Sequence, residues 1–256
     1  IILTMADLSL NANQSLRYYA LGEQAITVVF ADHIDPDISF KIRQADIVLS
    51  NHPFPGMLTT VAAYTTLSIY YDPFMLKSHQ TIDAKHTQEW IFGYLISLMD
   101  RVNEDVQATA DILSIPVCYG GEYGPDLDSV AAHTGLSSEE VIARHTSQTY
   151  LVYMMGFMPG FPYLGGLDPQ LATPRKTTPR NLVPEGSVGI AGEQTGVYPL
   201  DSPGGWQLIG RTPLRLFDPK SEKPILLQSG QQVRFERLEH SLFESYQNDH
   251  YGNKTS

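Results

Sequence analysis

Two Pro-Arg steps, Pro174-Arg175 and Pro179-Arg180, stand five residues apart in a stretch crowded with glycine, proline and aromatic residues. Arginine's planar fork binds a carboxylate or a phosphate through two parallel hydrogen bonds, so Arg175 and Arg180 are candidate anion-binding residues. The plain alternative for them is surface salt bridges. Upstream runs Gly156-Phe157-Met158-Pro159-Gly160-Phe161. Glycine opens backbone angles closed to other residues and proline fixes the angle beside it, so this segment reads as a tight turn. Phe157, Pro159 and Phe161 there either line a pocket or pack as a buried corner. Downstream, Gln194-Thr195 and Tyr198 precede Ser202-Pro203-Gly204-Gly205-Trp206, and Gly210-Arg211-Thr212-Pro213 closes the block. Gly204 and Gly205 could turn backbone N–H groups toward an anion or oxyanion, with Trp206 as a wall. A β-turn carrying a core tryptophan is the alternative.

The charge distribution bears on this block. The chain of 256 residues has a net charge of −11, yet Gln170–Arg215 holds Arg175, Lys176, Arg180, Arg211 and Arg215 against Glu185, Glu193 and Asp201. An acidic chain does not favour nucleic acid or an anionic membrane surface. A small carboxylate or phosphate would suit the local cations, unless they are simply solvated. No phosphate-binding P-loop, dinucleotide fingerprint, nucleophile elbow or His-Glu-x-x-His spacing occurs. The eight histidines are scattered, and no metal site is read from them. No apolar run approaches the roughly 18–20 residues that cross a bilayer. The opening Ile1-Ile2-Leu3 is too short for a signal peptide and lacks its basic start, and without an initial methionine either Met5 is the start or residues are missing before it. The single cysteine, Cys118, excludes an internal disulfide, fits a reducing cytoplasm and reads as an inert core thiol. No nucleophile can be paired with a base. The chain is therefore either a binding protein or an enzyme whose site is shared with another chain.

Two kinds of element must position these residues. In the first half Ala25–Phe30 reads as a strand, and Ile38, Ile42, Ala45 and Leu49 fall at helical spacing after Asp35-Pro36. Met57–Ala63 and Leu67–Tyr71 read as strands, the second stopped by Asp72-Pro73, and Lys85–Met99 as a helix. The order β-α-β-β-α, with Ile112–Cys118 as another strand, suggests a small split βαβ-type sheet. The polar stretch Val102–Ala110 is a candidate boundary. Short helices follow over Asp126–His133 and from Ser137, where Glu140 completes a capping box. Beyond Tyr150–Met154 the pattern changes, with 11 of the 17 prolines between Pro159 and Pro224. Short runs at Ser187–Ala191, Gln207–Ile209, Leu214–Phe217, Ile225–Leu227 and Val233–Phe235 predict an all-β barrel or sandwich. The expected organisation is α+β: residues 1–105, then 106–240, then a polar, mobile tail over 241–256.

The same residues resemble a known family, variously called the B subunit of 5-oxoprolinase, allophanate hydrolase subunit 1 or the sporulation-kinase inhibitor family, built on carboxyltransferase subdomains C and D. The resemblance covers most of the chain. It is carried by Gly22-Glu23-Gln24-Ala25, Tyr64 with Thr66-Leu67, and Tyr71-Asp72-Pro73. It is carried more specifically by Gly156 through Gly166, the two Pro-Arg steps, Val183-Pro184, Gly186-Ser187-Val188, Ala191-Gly192, Gln194-Thr195-Gly196 and Ser202 through Pro213. The sequence departs from the family locally, at Ala62, where proline is frequent, and at Glu193. The resemblance implies a small N-terminal α/β domain followed by a cyclophilin-like β-barrel. It also implies work alongside a second subunit of related cyclophilin-like fold and a third oxoprolinase subunit, opening 5-oxoproline to glutamate with ATP. The expected location, read from the single cysteine, is cytoplasmic, and ATP is expected at an interface or on a partner. On that picture Arg175, Arg180, Gln194 and Thr195 are the candidate catalytic residues. Phe157, Pro159, Phe161, Tyr198, Ser202, Gly204, Gly205, Trp206 and Arg211 would bind the substrate. Two further readings remain open, a binding protein that inhibits a histidine kinase and a carboxyltransferase-type subunit in urea or allophanate metabolism.

Overall fold

The structure is a computed structural model that describes residues 6–7, 16–79, 86–99 and 112–251, with side chains described for 16–78, 86–99 and 112–247. The chain divides into two compact units, Ile1–Thr109 and Ala110–Ser256. The stretch Val102–Ala110, where the sequence suggests a boundary, lies outside the described residues.

The first unit runs β1 (Ala6–Asp7), β2 (Arg17–Ala20), β3 (Ala25–Val29), α1 (Pro36–Asn51), β4 (Met57–Ala62), β5 (Thr66–Tyr71), α2 (Pro73–His79) and α3 (Thr87–Met99). Its sheet has the order β1-β2-β3-β5-β4, and each neighbouring pair is antiparallel. Strand β5 thus lies between β3 and β4, which run parallel and are joined through α1. This is the split βαβ arrangement expected from the sequence. Helix α1 starts where Asp35 accepts the Asp37 N–H at 2.8 Å and Pro36 occupies the first turn. Asp72 ends β5 and also opens α2, a helix the sequence pattern does not announce, by accepting the N–H groups of Phe74 at 2.8 Å and Met75 at 3.2 Å. The core joins Ile26, Val28, Leu67 and Ile69 of the sheet to Leu49 of α1 and Leu95 of α3.

The second unit runs β6 (Leu113–Tyr119), α4 (Leu127–Thr134), α5 (Ser138–Ser147), β7 (Tyr150–Met155), β8 (Pro162–Gly165), β9 (Arg180–Val183), β10 (Ser187–Ala191), β11 (Gln194–Val197), β12 (Ser202–Gly204), β13 (Gln207–Arg211), β14 (Gln232–Arg237) and α6 (Phe243–Tyr251). Seven of its strands close a barrel in the order β10-β11-β8-β7-β14-β6-β13, with β13 returning to β10. Closure leaves the barrel without an open edge. Strand β6, which the sequence groups with the first sheet, belongs here and runs parallel to β14. Ile115, Val152, Val188, Ile190, Ile209 and Phe235 are among the buried residues that fill the interior. The capping box at α5 has both halves, Ser137 and Glu140 each bonding the other's backbone.

Strands β9 and β12 form a separate two-stranded ribbon beside the barrel order. Leu214–Phe217 and Ile225–Leu227, expected as strands, meet only through a single bridge between Phe217 and Ile225. Pro213, Pro219 and Pro224 flank these runs, and proline cannot donate to a ladder.

The segment after Glu239, expected to be a mobile polar tail, is instead a 3-10 turn over His240–Leu242 followed by α6. One aromatic anchors it. Phe243 is buried, stacks on Tyr123 with ring centroids 4.4 Å apart, and lies under the Arg211 guanidinium at 5.9 Å. His240 Nε2 bonds the Tyr119 carbonyl at 2.9 Å. Residues 252–256 lie outside the described part. Phe243→Ala is expected to lower the unfolding free energy by about 3 kcal/mol. Urea titration followed by Trp206 fluorescence in a Trp90→Phe background measures this. A loss below about 0.5 kcal/mol would return the segment to a loose tail.

Candidate functional site

A buried carboxylate organises the region that holds the Pro-Arg steps. Asp126 occupies the N-cap position of α4 but makes no side-chain cap bond to that helix. Its Oδ2 accepts the Leu208 N–H of β13 at 2.7 Å, and its Oδ1 accepts Arg180 Nη2 at 2.7 Å and Lys176 Nζ at 3.1 Å. The Asp126 side chain is only 4% exposed. Burial alone would raise its pKa, but the bonds from Arg180, Leu208 and Lys176 outweigh it and hold the carboxylate below its ordinary value. Asp126 therefore stays ionised, and two cations share one negative charge.

The Pro-Arg loop is laid along the segment it serves. Lys176 N–H donates to the Gly205 carbonyl at 2.7 Å, and Gln207 Nε2 donates to the Pro174 carbonyl at 2.9 Å. In the ribbon, Arg180 faces Gly204 and Val183 faces Ser202. Beneath it lies a small second core of Phe161, Val183, Ala191, Tyr198, Trp206 and Leu208. Its rings meet edge to face, with Phe161 5.2 Å from Tyr198 and 5.5 Å from Trp206. The Arg175 guanidinium covers the Trp206 ring at 5.9 Å. The Tyr198 hydroxyl accepts the Trp206 backbone N–H; burial raises its pKa above the ordinary value, an effect that this bond, Arg175 and Arg180 only partly offset. Gly204 permits this closeness, since a Cβ there would lie 2.5 Å from Tyr198 Oη.

The loop between β7 and β8 is the aromatic turn seen in the sequence. Met158 N–H reaches the Gly156 carbonyl at 2.8 Å, a γ-turn centred on Phe157, whose φ is 69°. Phe161 N–H then bonds the Met158 carbonyl at 3.1 Å across Pro159 and Gly160, the latter at φ 83°, which is a type II turn. Phe157, the one non-glycine residue at positive φ among those described, is exposed and meets Phe161 edge on at 5.6 Å. Backbone strain of this kind gathers at functional loops.

The structure thus brings together Arg175, Arg180, Phe161, Tyr198, Ser202, Gly204, Gly205 and Trp206, with Phe157 and Pro159 on the adjoining turn. It also shows that Gly205 supplies a carbonyl to Lys176. Three expected residues, Arg211, Thr195 and Gln194, are placed elsewhere. Arg211 donates its Nε to the Glu185 carbonyl at 2.7 Å and covers Phe243. Thr195 points into the barrel, where its hydroxyl donates to the Gly189 carbonyl at 3.0 Å and accepts from His145 Nε2 at 3.0 Å. The other ring nitrogen, Nδ1, then accepts from the Tyr119 hydroxyl at 2.8 Å. Every hydroxyl and nitrogen in that chain is spent on structure, so Thr195 has no donor left for a ligand. Gln194 sits at the hairpin opposite Ala191, half-buried. Asp126 and Lys176 do not stand out in the sequence. Asp126 reads there as an ordinary helix start, and its partners are distant along the chain. Among the described residues no group of three or more His, Cys, Asp and Glu could hold a metal ion, and no helix is long and apolar enough to cross a membrane.

Comparison with known proteins adds the following. The sequence profile of the carboxyltransferase domain, subdomain C and D, matches residues 16–227. The B subunit of 5-oxoprolinase from Bacillus subtilis (strain 168) is 42% identical over 229 residues, covering 90% of this chain and 95% of its own length. The protein of the same name from Escherichia coli O157:H7 is 59% identical over 227 residues, covering 87% and 96%. The crystal structure of TTHA0988 superposes with a TM-score of 0.72 at 37% identity over 84% of this chain, which spans 40% of that longer chain.

The barrel interior makes a prediction of its own. Burial holds the His145 pKa at about 3, against about 6.5 in an unfolded chain. Between those values the unfolded chain binds a proton that the native one does not, so stability falls as pH falls, by about 1.4 kcal/mol per unit. His145 is therefore expected to contribute a loss of about 2 kcal/mol between pH 7 and pH 5. Urea unfolding of wild type and His145→Asn at both pH values isolates it. Equal pH dependence in the two proteins would contradict the buried neutral imidazole.

Proposed function

We propose that this chain, which belongs to the carboxyltransferase-domain family of subdomains C and D, is the B subunit of an ATP-dependent 5-oxoprolinase. The observation that carries the reading is the pair of relatives bearing that name, 42% and 59% identical over nearly their whole length. The site geometry supports it. Opening a five-membered lactam requires activation, because amide resonance leaves its carbonyl a poor electrophile. Coupling to ATP hydrolysis supplies that activation: 5-oxoproline and ATP each take up a water, and glutamate, ADP and phosphate are the products. A subunit that holds the acid in one orientation suits fixed cations beside a packed aromatic cluster. The chain carries no phosphate-binding loop motif, and in this reading ATP sits on a partner or at an interface with one. The partners are a second subunit of related cyclophilin-like fold and a third oxoprolinase subunit. No nucleophile and base pair is required of this chain alone.

The test is glutamate and ADP formation from 5-oxoproline and ATP. It is run with this chain alone, with purified partner subunits, and with the partners lacking it. Activity confined to the full mixture is the expected outcome. An assembled complex without activity would overturn the proposal.

A further inference from the structure

Arg180 is engaged along one edge only. Its Nη2 bonds Asp126 at 2.7 Å, while Nη1 is buried without a hydrogen-bond partner among the described residues, and so is Ser202 Oγ. Strand register brings these two groups to one face. Gly204 lies opposite Arg180, and Ser202 lies two residues from Gly204 in the same strand. Directly opposed residues share a face, and so do residues two apart. That face is turned toward Tyr198, because a Cβ on Gly204 would lie 2.5 Å from the Tyr198 hydroxyl. Charge there is in excess. Lys176 and Arg180 share the single carboxylate of Asp126, and Arg175, close enough to act on the Tyr198 hydroxyl, adds a third cation. Buried donors without acceptors are costly and rare in folded proteins. Two of them on one face, within a surplus of positive charge, point to an anionic ligand.

We propose that Arg180 Nη1 and Ser202 Oγ hold the carboxylate of a small organic acid, and that Asp126 is the positioning residue that keeps the Arg180 fork aimed at it. The identity of the acid rests on the function proposed above, under which it is 5-oxoproline itself. The site then grips the group that does not react and leaves the lactam to be presented elsewhere in the complex. Two donors match the two oxygens of a carboxylate, whereas a phosphoryl group would leave its third oxygen unmatched.

The test has a kinetic arm and a binding arm. In the reconstituted complex, Ser202→Ala removes one donor without touching the Asp126 ion pair. It is expected to raise KM for 5-oxoproline about tenfold with kcat little changed. Arg180→Lys keeps the charge but loses the fork, and a larger rise is expected. In the binding arm the isotope-labelled chain is titrated with 5-oxoproline, with 2-pyrrolidinone, which has the same ring without the carboxylate, and with inorganic phosphate. Amide signals of Val183, Ser202 and Gly204 are expected to move with 5-oxoproline alone. Unchanged KM in both variants of an active complex overturns the site and leaves the oxoprolinase reading standing. An inactive wild-type complex whose chain still shows the 5-oxoproline shifts removes that reading and keeps the carboxylate site. Shifts with phosphate alone, or none with 5-oxoproline, overturn the proposal.

Discussion

A carboxylate that is 4% exposed must be neutralised where it sits, and Asp126 meets that requirement with three partners from two separate parts of the chain. An isolated buried charge is costly enough that the fold is constrained to deliver them together. The start of α4 is thereby tied to β13 through Leu208, and both are tied to the Pro-Arg loop through Lys176 and Arg180. The loop in turn lies along residues 202–207, which fixes the ribbon of β9 and β12. Without the carboxylate, two neighbouring cations on a short loop would repel each other, and nothing else described would hold the Arg180 fork in one orientation.

The alternation of strand side chains divides the polar residues of the second unit into two sets. Thr195 faces inward and joins His145 and Tyr119 in a chain of hydrogen bonds that is complete in itself. Burial keeps the imidazole neutral, so this interior set gives the barrel a satisfied polar centre without a charge. Tyr198, three residues on and past the end of β11, belongs to the other set, over which Arg175 and Arg180 lie. The aromatic cluster there is a packed wall rather than an open cleft, since Phe161 and Tyr198 are each only 1% exposed. What it offers a ligand is rigidity: side chains fixed by packing hold their hydrogen-bonding groups in place before anything binds.

Much of this fold is legible in the sequence because its signals are local. Asp35-Pro36 and Ser137 with Glu140 announce helices within a single turn. The β-branched run at Ala25 and the change of pattern after Tyr150 announce strands. The aromatic turn at Gly156–Phe161 is equally readable, since Pro159 and Gly160 specify it. The site is legible in its cations and glycines but not in its centre. Asp126 meets Lys176, Arg180 and Leu208 across 50, 54 and 82 residues, and no spacing rule connects them. Thr195 is misleading because adjacency to Gln194 suggests a shared role, whereas strand alternation turns its side chain inward. The docked C-terminal helix is hidden by a polar composition in which one aromatic, Phe243, carries the anchoring.

The central claim is that Asp126 and Arg180 act as one unit. A double-mutant cycle on unfolding free energy, with Asp126→Asn, Arg180→Gln and the pair, measures that coupling directly. The account predicts an interaction energy of about 2 kcal/mol, because either single change strands a partner that the double change removes. Additive losses, with no coupling beyond about 0.5 kcal/mol, would contradict it.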